Sequence, residues 1–414
     1  MNYTPISDKI TPLQLEFAAR CISDAQSIAI ITHQNPDGDA LGSSLAMRHF
    51  LLSLGKQNVT NIVPTSFPDF LAWLPGLDSV IQYEQNPDAA AAALRDADLV
   101  ICTDLAEPTR VAALSPVLTE RFNSYAASRE SGESGNSIDS RNSGASGLLI
   151  IDHHLSKVCT EQPEQIAYPD SASASELVFR LAYQLTKSQN GATSRTIVEP
   201  KVDQRRSKVE AILDFTCGIA GVLSEDFATC IYTGMMTDTG NFSYNSCHPE
   251  MYNIVAILLT TGINKDVIYD RVFNAWAADR MRLVGYCLYH KMQLFPEYHT
   301  ALITLNRREM YRFNAKSGDM EGIVNMPLQI KDIYYSIFMR EDKIPPHQKE
   351  EAGDAKVKAK ISFRSQGDRP VNKLAREVFR GGGHMNASGG EFFGTVDEAA
   401  KKFIETMPQY MQKE

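Results

Sequence analysis

The sequence predicts an α/β protein of two domains, the first a parallel sheet flanked by helices and the second a smaller α/β unit. Three observations predict it. Short β-branched runs alternate with helical stretches from the N-terminus. The runs are apolar throughout, as strands covered on both faces are. A second α/β pattern starts after about residue 297. At 414 residues and roughly 100–200 residues per domain, two domains are the natural division. Each is long enough to bury a core without disulfides.

The elements follow in order. SIAIITH (27–33) reads as a strand ending in a polar loop. LGSSLAMRHFLLSLG (41–55) is a helix closing on Gly55. NVTNIV (58–63), DLVICTD (98–104) and GLLIIDHH (147–154) read as strands, with AAAALRDA (90–97) a helix between them. In such sheets ligands sit at the carboxyl ends of the strands, and three of these runs end in His or Asp. AWAADRMRLVGYCLYHKMQLF (275–295) leads into the second domain. There TALITLN (300–306), YYSIFMRE (334–341) and AKISFRS (359–365) read as strands, and VNKLAREVFR (371–380) and VDEAAKKFIETM (396–407) as helices. The expected domains are 1–297 and 298–414. Three polar stretches, 124–147, 188–207 and 341–356, read as flexible insertions.

Composition excludes several classes. With 43% hydrophobic and 22% charged residues the chain is not disordered. A formal net charge of −9 argues against coating long nucleic acid, so any nucleic-acid role works through a local pocket. No apolar run approaches the ~20 residues of a membrane span, and MNYTPISDKITPLQLEF lacks the pattern of a signal peptide. The seven cysteines form no CxxC and read as reduced thiols in a cytoplasmic protein.

Four clusters carry chemistry. His33-Gln34-Asn35-Pro36-Asp37-Gly38-Asp39 is a turn that delivers one His and two Asp within seven residues. Asp39 as a helix cap before Leu41 would explain that residue alone, leaving His33 and Asp37 unexplained. Asp104 ends a strand. Asp152-His153-His154 follows another, and adjacent strand residues point to opposite faces, so both His cannot enter the core. Asp238 lies in Thr237-Asp238-Thr239-Gly240-Asn241-Phe242, after a helical pattern. So many carboxylates together repel one another unless cations intervene. Imidazole with carboxylate suits Mn²⁺, Fe²⁺, Co²⁺ or Zn²⁺ rather than Ca²⁺. Two such ions would activate water and clamp a phosphoryl group. In the second domain, Phe363-Arg364-Ser365 ends a strand and Gly381-Gly382-Gly383-His384 follows a helix. Arg364, the Ser365 hydroxyl, the glycine N–H groups and His384 suit a phosphate. His49, His248, His290, His299 and His347 read as surface, capping or turn residues, Met235-Met236 as helix packing, and Phe242 as either a packed ring or a base-stacking one.

The order HxNPDGDALGS, TD, DHH, TDTGNF, GGGHxNASGG resembles the DHH phosphoesterase superfamily. The two-domain layout and the stretches 321–341 and 371–390 are most similar to its nanoRNase branch and its DHH-associated domain. The resemblance implies one metal on His33, Asp37 and Asp104, and a second on Asp39, Asp104, His153 and Asp238. It further implies that Asp152 orients an imidazole, that His154 faces the substrate phosphate or leaving group, and that the two ions are most often Mn²⁺. The implied activity is hydrolysis of RNA oligonucleotides of two to a few residues to mononucleotides, together with dephosphorylation of 3′-phosphoadenosine-5′-phosphate to AMP. Rival readings are a cyclic-di-AMP or linear di-adenylate phosphodiesterase, a pyrophosphatase and a non-catalytic nucleotide-binding module. No membrane or long nucleic acid is expected as a partner, and a symmetric homodimer is the expected assembly.

Overall fold

The computed structural model describes residues 6–130, 147–154, 162–192, 223–316, 318–345 and 348–411. The chain divides into two compact units, Met1–Asn274 and Ala275–Glu414. The division falls before the expected 297 because the segment in between belongs to the second core. Leu283, Val284 and Cys287 are buried with Ile303, Leu305 and Phe338, and Met292–Phe295 pairs with the next strand.

The first unit runs α1 (Pro12–Asp24), β1 (Ile28–Ile31), α2 (Gly38–Ser53), β2 (Val59–Val63), β3 (Ile81–Gln82), α3 (Pro87–Asp96), β4 (Leu99–Thr103), α4 (Ser115–Glu130), β5 (Gly147–Asp152), β6 (Gln165–Ala167), α5 (Ala174–Ala192), α6 (Glu225–Asp238), α7 (Pro249–Thr260) and α8 (Lys265–Phe273). Its strands are ordered β3-β2-β1-β4-β5-β6 among the described residues, and each neighbouring pair is parallel. Chain order runs outward in opposite directions from β1 and β4, so the topological switch point lies between them. Alternate residues of the central strands serve two cores. Ile28, Ile30, Leu99, Ile101, Leu149 and Ile151 pack with α1, α2, α5 and α6. Ala29, Ile31, Val100, Cys102, Leu148 and Ile150 pack with α3 and α4. That two-sided burial is why these strands carry no polar alternation.

The helix expected at 41–55 starts earlier, at Gly38, because Asp37 and not Asp39 caps it. The Asp37 carboxylate accepts the N–H groups of Asp39 and Ala40 at 3.1 and 3.0 Å. Gly55 follows its end in the left-handed region, φ +86°, as expected of a C-terminal glycine. The polar stretch 124–147 is helical as far as Glu130, where Tyr125 packs on the core. Likewise α5 extends to Ala192. The remainder of both stretches lies outside the described residues.

The second unit runs α9 (Ala278–Tyr286), β7 (Met292–Phe295), β8 (Thr300–Leu305), α10 (Arg307–Arg312), β9 (Tyr335–Asp342), β10 (Lys358–Ser365), α11 (Asn372–Val378), β11 (Gly382–Gly383), β12 (Ala387–Phe393) and α12 (Val396–Tyr410). The sheet order is β11-β12-β10-β9-β8-β7. It is mixed, with β8 and β9 parallel and the other pairs antiparallel. Ile337, Met339, Ile361 and Phe363 bury one face against α11 and α12. The stretch 341–356 connects β9 to β10 and carries a helical turn, Lys349–Ala352. It is pinned at Gln348, which accepts from the buried Lys358 ammonium at 2.6 Å, and at Glu351, which pairs with Arg380.

In the first unit α2 and α6 approach closely enough for a backbone-to-backbone contact, and glycine is what permits it. A Cβ on Gly42 would sit 2.6 Å from the Cys230 carbonyl oxygen and 3.0 Å from the Gly234 backbone. Alanine is favoured over glycine in a helix by about 1 kcal/mol, but overpacking against rigid backbone costs roughly 1–3 kcal/mol, so strain wins. Gly42→Ala is therefore expected to lower the unfolding midpoint of this unit, read by chemical denaturation. An unchanged or raised midpoint would refute the close-packing argument.

Candidate active site

The expected residues of the first unit meet at the carboxyl ends of β1, β4 and β5, at the switch point. His33 follows β1, Asp104 follows β4, and Asp152-His153-His154 ends β5. Asp104 takes a left-handed backbone, φ +54°, which a non-glycine residue adopts at a cost. Its N–H donates to the Ile151 carbonyl at 2.8 Å, extending the β4–β5 ladder by one bond. The turn sends its carboxylate between three imidazoles. Oδ2 lies 3.1 Å from His33 Nε2, and Oδ1 lies 3.2 Å from His154 Nδ1 and 3.7 Å from His153 Nε2.

Asp39 arrives from the first turn of α2. Its two oxygens accept the N–H groups of Ala174 and Ser175 at 2.7 and 2.9 Å. These belong to the first turn of α5, where unsatisfied N–H groups and the helix dipole favour an anion. Asp238 arrives from the last residue of α6. His153 Nε2 stands 3.7 Å from Asp39 Oδ2 and 3.6 Å from Asp238 Oδ2. Gly234 makes this convergence possible. A Cβ there would overlap Ser175 Oγ and come 2.9 Å from Asp39 Oδ1.

Ligand atoms therefore gather in two groups. Those of His33, Asp37 and Asp104 lie within 4.8 Å of one another, and so do those of Asp39, His153 and Asp238. Asp104 stands between them. A third grouping joins Asp104, Asp152 and His154. In it Asp152 Oδ1 accepts from His154 Nδ1 at 2.7 Å and from the His154 N–H at 3.1 Å, so Asp152 fixes that ring. Every residue expected in the metal set is thus in one cluster, and Asp37 both caps α2 and belongs to it.

The electrostatics show what the cluster lacks without cations. Burial, joined by the charges of Asp104 and Asp238, pushes the Asp39 carboxyl up to about 8. Burial also opposes ionisation of Asp104, but His154 and His33 outweigh it and hold that carboxyl well below the usual range. Against the same desolvation, Asp104 and Asp152 raise His154 well above its ordinary value, and Asp104 raises His33. Crowded buried oxygens with imidazole neighbours fit divalent cations.

The expected phosphate residues of the second unit sit at one end of its sheet. Arg364 is half-buried near the end of β10, paired in register with Ala387 and Ser336, and donates one bond to its own strand at the Phe363 carbonyl, 3.0 Å. The glycine run is not a loop. Gly382 and Gly383 form β11 and pair with Gly389 and Ser388. Gly383 has φ +132° and Gly381 packs where a Cβ would overlap the Gly389 carbonyl, so the hairpin itself requires glycine. His384 follows it, and its carbonyl accepts from Ser388 Oγ at 2.8 Å. Ser365 differs from expectation. It is buried, its hydroxyl donates to the Arg369 carbonyl, and its oxygen accepts from Asn386 Nδ2 at 2.9 Å. Its donor is spent on the turn after β10, so it positions that turn.

Among the other histidines, His49 and His299 bond to backbone carbonyls, of Pro75 at 3.1 Å and Asp332 at 2.7 Å. His248 occupies the N-cap position of α7, and His347 lies outside the described residues. Met235 and Met236 are buried in the core. Sequence reasoning missed Gly42 and Gly234, and the α5 N–H groups that grip Asp39. A glycine inside a helix is a signal of close approach, but it does not name the neighbour.

The DHH family, N-terminal domain, matches residues 27–235, which span β1 through most of α6. The chain belongs to the DHH family. Two curated relatives match along most of their length. The chain is 26% identical over 93% of its residues to the bifunctional oligoribonuclease and PAP phosphatase NrnA of Thermus thermophilus, covering 90% of that protein. It is 22% identical over 90% of its residues to the probable bifunctional oligoribonuclease and PAP phosphatase NrnA of Streptococcus mutans, covering 91% of it. These relatives place this DHH protein in the nanoRNase branch. A crystal structure of an exopolyphosphatase-related protein from Bacteroides fragilis superposes with a TM-score of 0.75 at 35% identity, over 98% of both chains. Among the described residues no helix is long and apolar enough to cross a membrane.

The charge pattern has a pH signature. Asp39 folds with a pKa of about 8 against an ordinary 3.8, so the metal-free folded chain holds a proton the unfolded chain has released. His33 and His154, raised above 6.5, stabilise the fold at low pH and lose that contribution as pH rises through their folded values. All three act in one direction between pH 6.5 and 8. The melting temperature of metal-free protein is expected to fall across that window, and stabilisation by added Mn²⁺ to grow across it. A melting temperature that rises with pH without metal would overturn this account.

Proposed function

We propose that this chain is a metal-dependent phosphoesterase. It cleaves RNA oligonucleotides of two to a few residues to mononucleotides and removes the 3′-phosphate from 3′-phosphoadenosine-5′-phosphate. The observation that carries the reading is the convergence of His33, Asp37, Asp39, Asp104, His153 and Asp238 at the switch point of a DHH-family sheet. The names of the two curated relatives support the substrate class.

In this reading His33, Asp37 and Asp104 hold one divalent cation, Asp39, Asp104, His153 and Asp238 hold the other, and Mn²⁺ is the favoured ion. Such cations, when bound, supply Lewis-acid polarisation of a phosphoryl group and lower the pKa of an attacking water. The protein's own groups do the rest. Ala174 and Ser175 fix Asp39 through their N–H groups. Asp152 locks the His154 ring, whose Nδ1 faces Asp152 and Asp104, and both carboxylates raise its pKa. A cationic imidazole donates to a phosphoryl oxygen or protonates a leaving alkoxide. Arg364 and His384, with the glycine hairpin at 381–383, are the proposed anion site of the second unit, and Ser365 braces it. The chain is proposed to act in the cytoplasm, and a homodimer is its proposed assembly.

A product-resolved assay with Mn²⁺ tests the reading. The substrates are a 5′-phosphorylated RNA dinucleotide, a long RNA, 3′-phosphoadenosine-5′-phosphate, cyclic-di-AMP, pyrophosphate and polyphosphate. The expected result is preferential conversion of the dinucleotide, phosphate release from the adenosine bisphosphate, and loss of both in Asp104→Ala. Asp152→Asn, which removes the negative charge that orients His154, is expected to lower the rate about 10–100-fold. Cleavage of polyphosphate, pyrophosphate or cyclic-di-AMP alone would replace this reading. Silence on every substrate in a protein that binds no Mn²⁺ would leave a nucleotide-binding module.

A further inference from the structure

Just beyond Asp238 the backbone takes an expensive path. Gly240, Asn241 and Phe242 have φ of +55°, +57° and +59°, three left-handed residues in succession. Glycine accepts this freely and asparagine readily, but a bulky phenylalanine does not. Specific bonds hold the turn. The Thr239 hydroxyl donates to the Met235 carbonyl at 2.7 Å and accepts the Phe242 N–H at 3.0 Å, and the Asn241 N–H donates to the Met236 carbonyl at 2.7 Å.

The turn carries Phe242 and Tyr244 four and six residues after Asp238 in the chain. Phe242 folds back so that its ring centroid stands 5.7 Å from buried Tyr232 and 6.3 Å from Tyr252. The ring of Tyr244 lies on Gly240, where a Cβ would overlap it. Yet Tyr244 is 51% exposed and Tyr252 49%. A strained, over-determined turn that directly follows a functional residue and carries half-exposed aromatics is the kind of place where strain serves binding. Gly240 is two residues from Asp238, a span of at most ~7 Å. That is comparable with the reach from a nucleotide's phosphate to its base.

We propose that this turn is a nucleobase subsite. Tyr244 provides the stacking face, braced from below by Gly240, and the Phe242–Tyr252 pair forms its edge, while the substrate phosphate sits at the Asp238 cluster. The inference rests on the nucleotide reading above and adds to it the residues that recognise the base. An aromatic platform stacks any base, so it favours nucleotides over base-free phosphates without selecting sequence. It also supplies grip on a two-residue substrate that makes few phosphate contacts.

The test compares AMP with ribose 5-phosphate, which lacks the base, by calorimetry on the Mn²⁺-loaded protein. Wild type is expected to bind AMP about tenfold or more tighter, the scale of one stacked base. Tyr244→Ala should bring AMP down to the ribose 5-phosphate level, while Tyr244→Phe keeps the preference. Affinities for ribose 5-phosphate and for Mn²⁺ should stay the same in every variant, which separates base recognition from damage to the metal cluster. If Tyr244→Ala does not fold, Tyr244→Leu keeps the apolar contact with Gly240 and removes the stack, and it should also lose the preference. Equal wild-type affinities for AMP and ribose 5-phosphate, or an undiminished preference in Tyr244→Ala, would overturn the subsite and leave the phosphoesterase reading standing. Binding of Mn²⁺ with neither phosphate ligand would overturn both.

Discussion

Several carboxylates held within a few ångströms of one another, mostly out of water, are the constraint on which the first unit is built. Asp39, Asp104 and Asp152 are each almost fully buried, and Asp238 closes the cluster. Like charges at that separation repel strongly in a low dielectric. The fold answers with positive partners placed one by one. The α5 N-terminus faces Asp39, His33 and His154 face Asp104, and the His154 ring faces Asp152. These partners are incomplete, as the raised Asp39 carboxyl shows. Divalent cations would supply the positive charge that the site is short of.

The architecture serves that cluster. Parallel strands bring β1, β4 and β5 to one edge, and the reversal of strand order between β1 and β4 opens the crevice there. The helices close it from the other side, and their approach depends on missing side chains. Gly42 lets α2 meet the α6 backbone, and Gly234 leaves room for Ser175 and Asp39. The same economy appears in the second unit, where Gly381 and Gly383 allow a hairpin that no larger residue could form.

Much of this was legible in the chain itself. The ends of β1, β4 and β5, the helices α2, α3, α11 and α12 to within a few residues, and the converging residues follow from local patterns, because His and Asp at the end of an apolar run have nowhere to go but the crevice. The errors are equally specific. The helix start was placed at Leu41, three residues late, and only the backbone shows that Asp37 takes the first N–H groups. Consecutive glycines carry no strand signal, so the pairing of Gly382 and Gly383 with Gly389 and Ser388 shows only in the fold. The boundary near 297 was late because the segment before it reads equally well as an addition to either core.

The sequence by itself determined which groups the site contains and which ions their chemistry suits, since charge and ligand type belong to residues. Tertiary structure alone decided how they meet. Asp39 and Asp238 lie far apart in the chain, and no local pattern joins them. Their proximity comes from a helix contact defined by side chains that are absent, and an absent side chain leaves no periodicity to read. The left-handed turn after Asp238 is of the same kind, because a backbone angle held by packing and hydrogen bonds is a property of the whole fold rather than of Asn241 or Phe242.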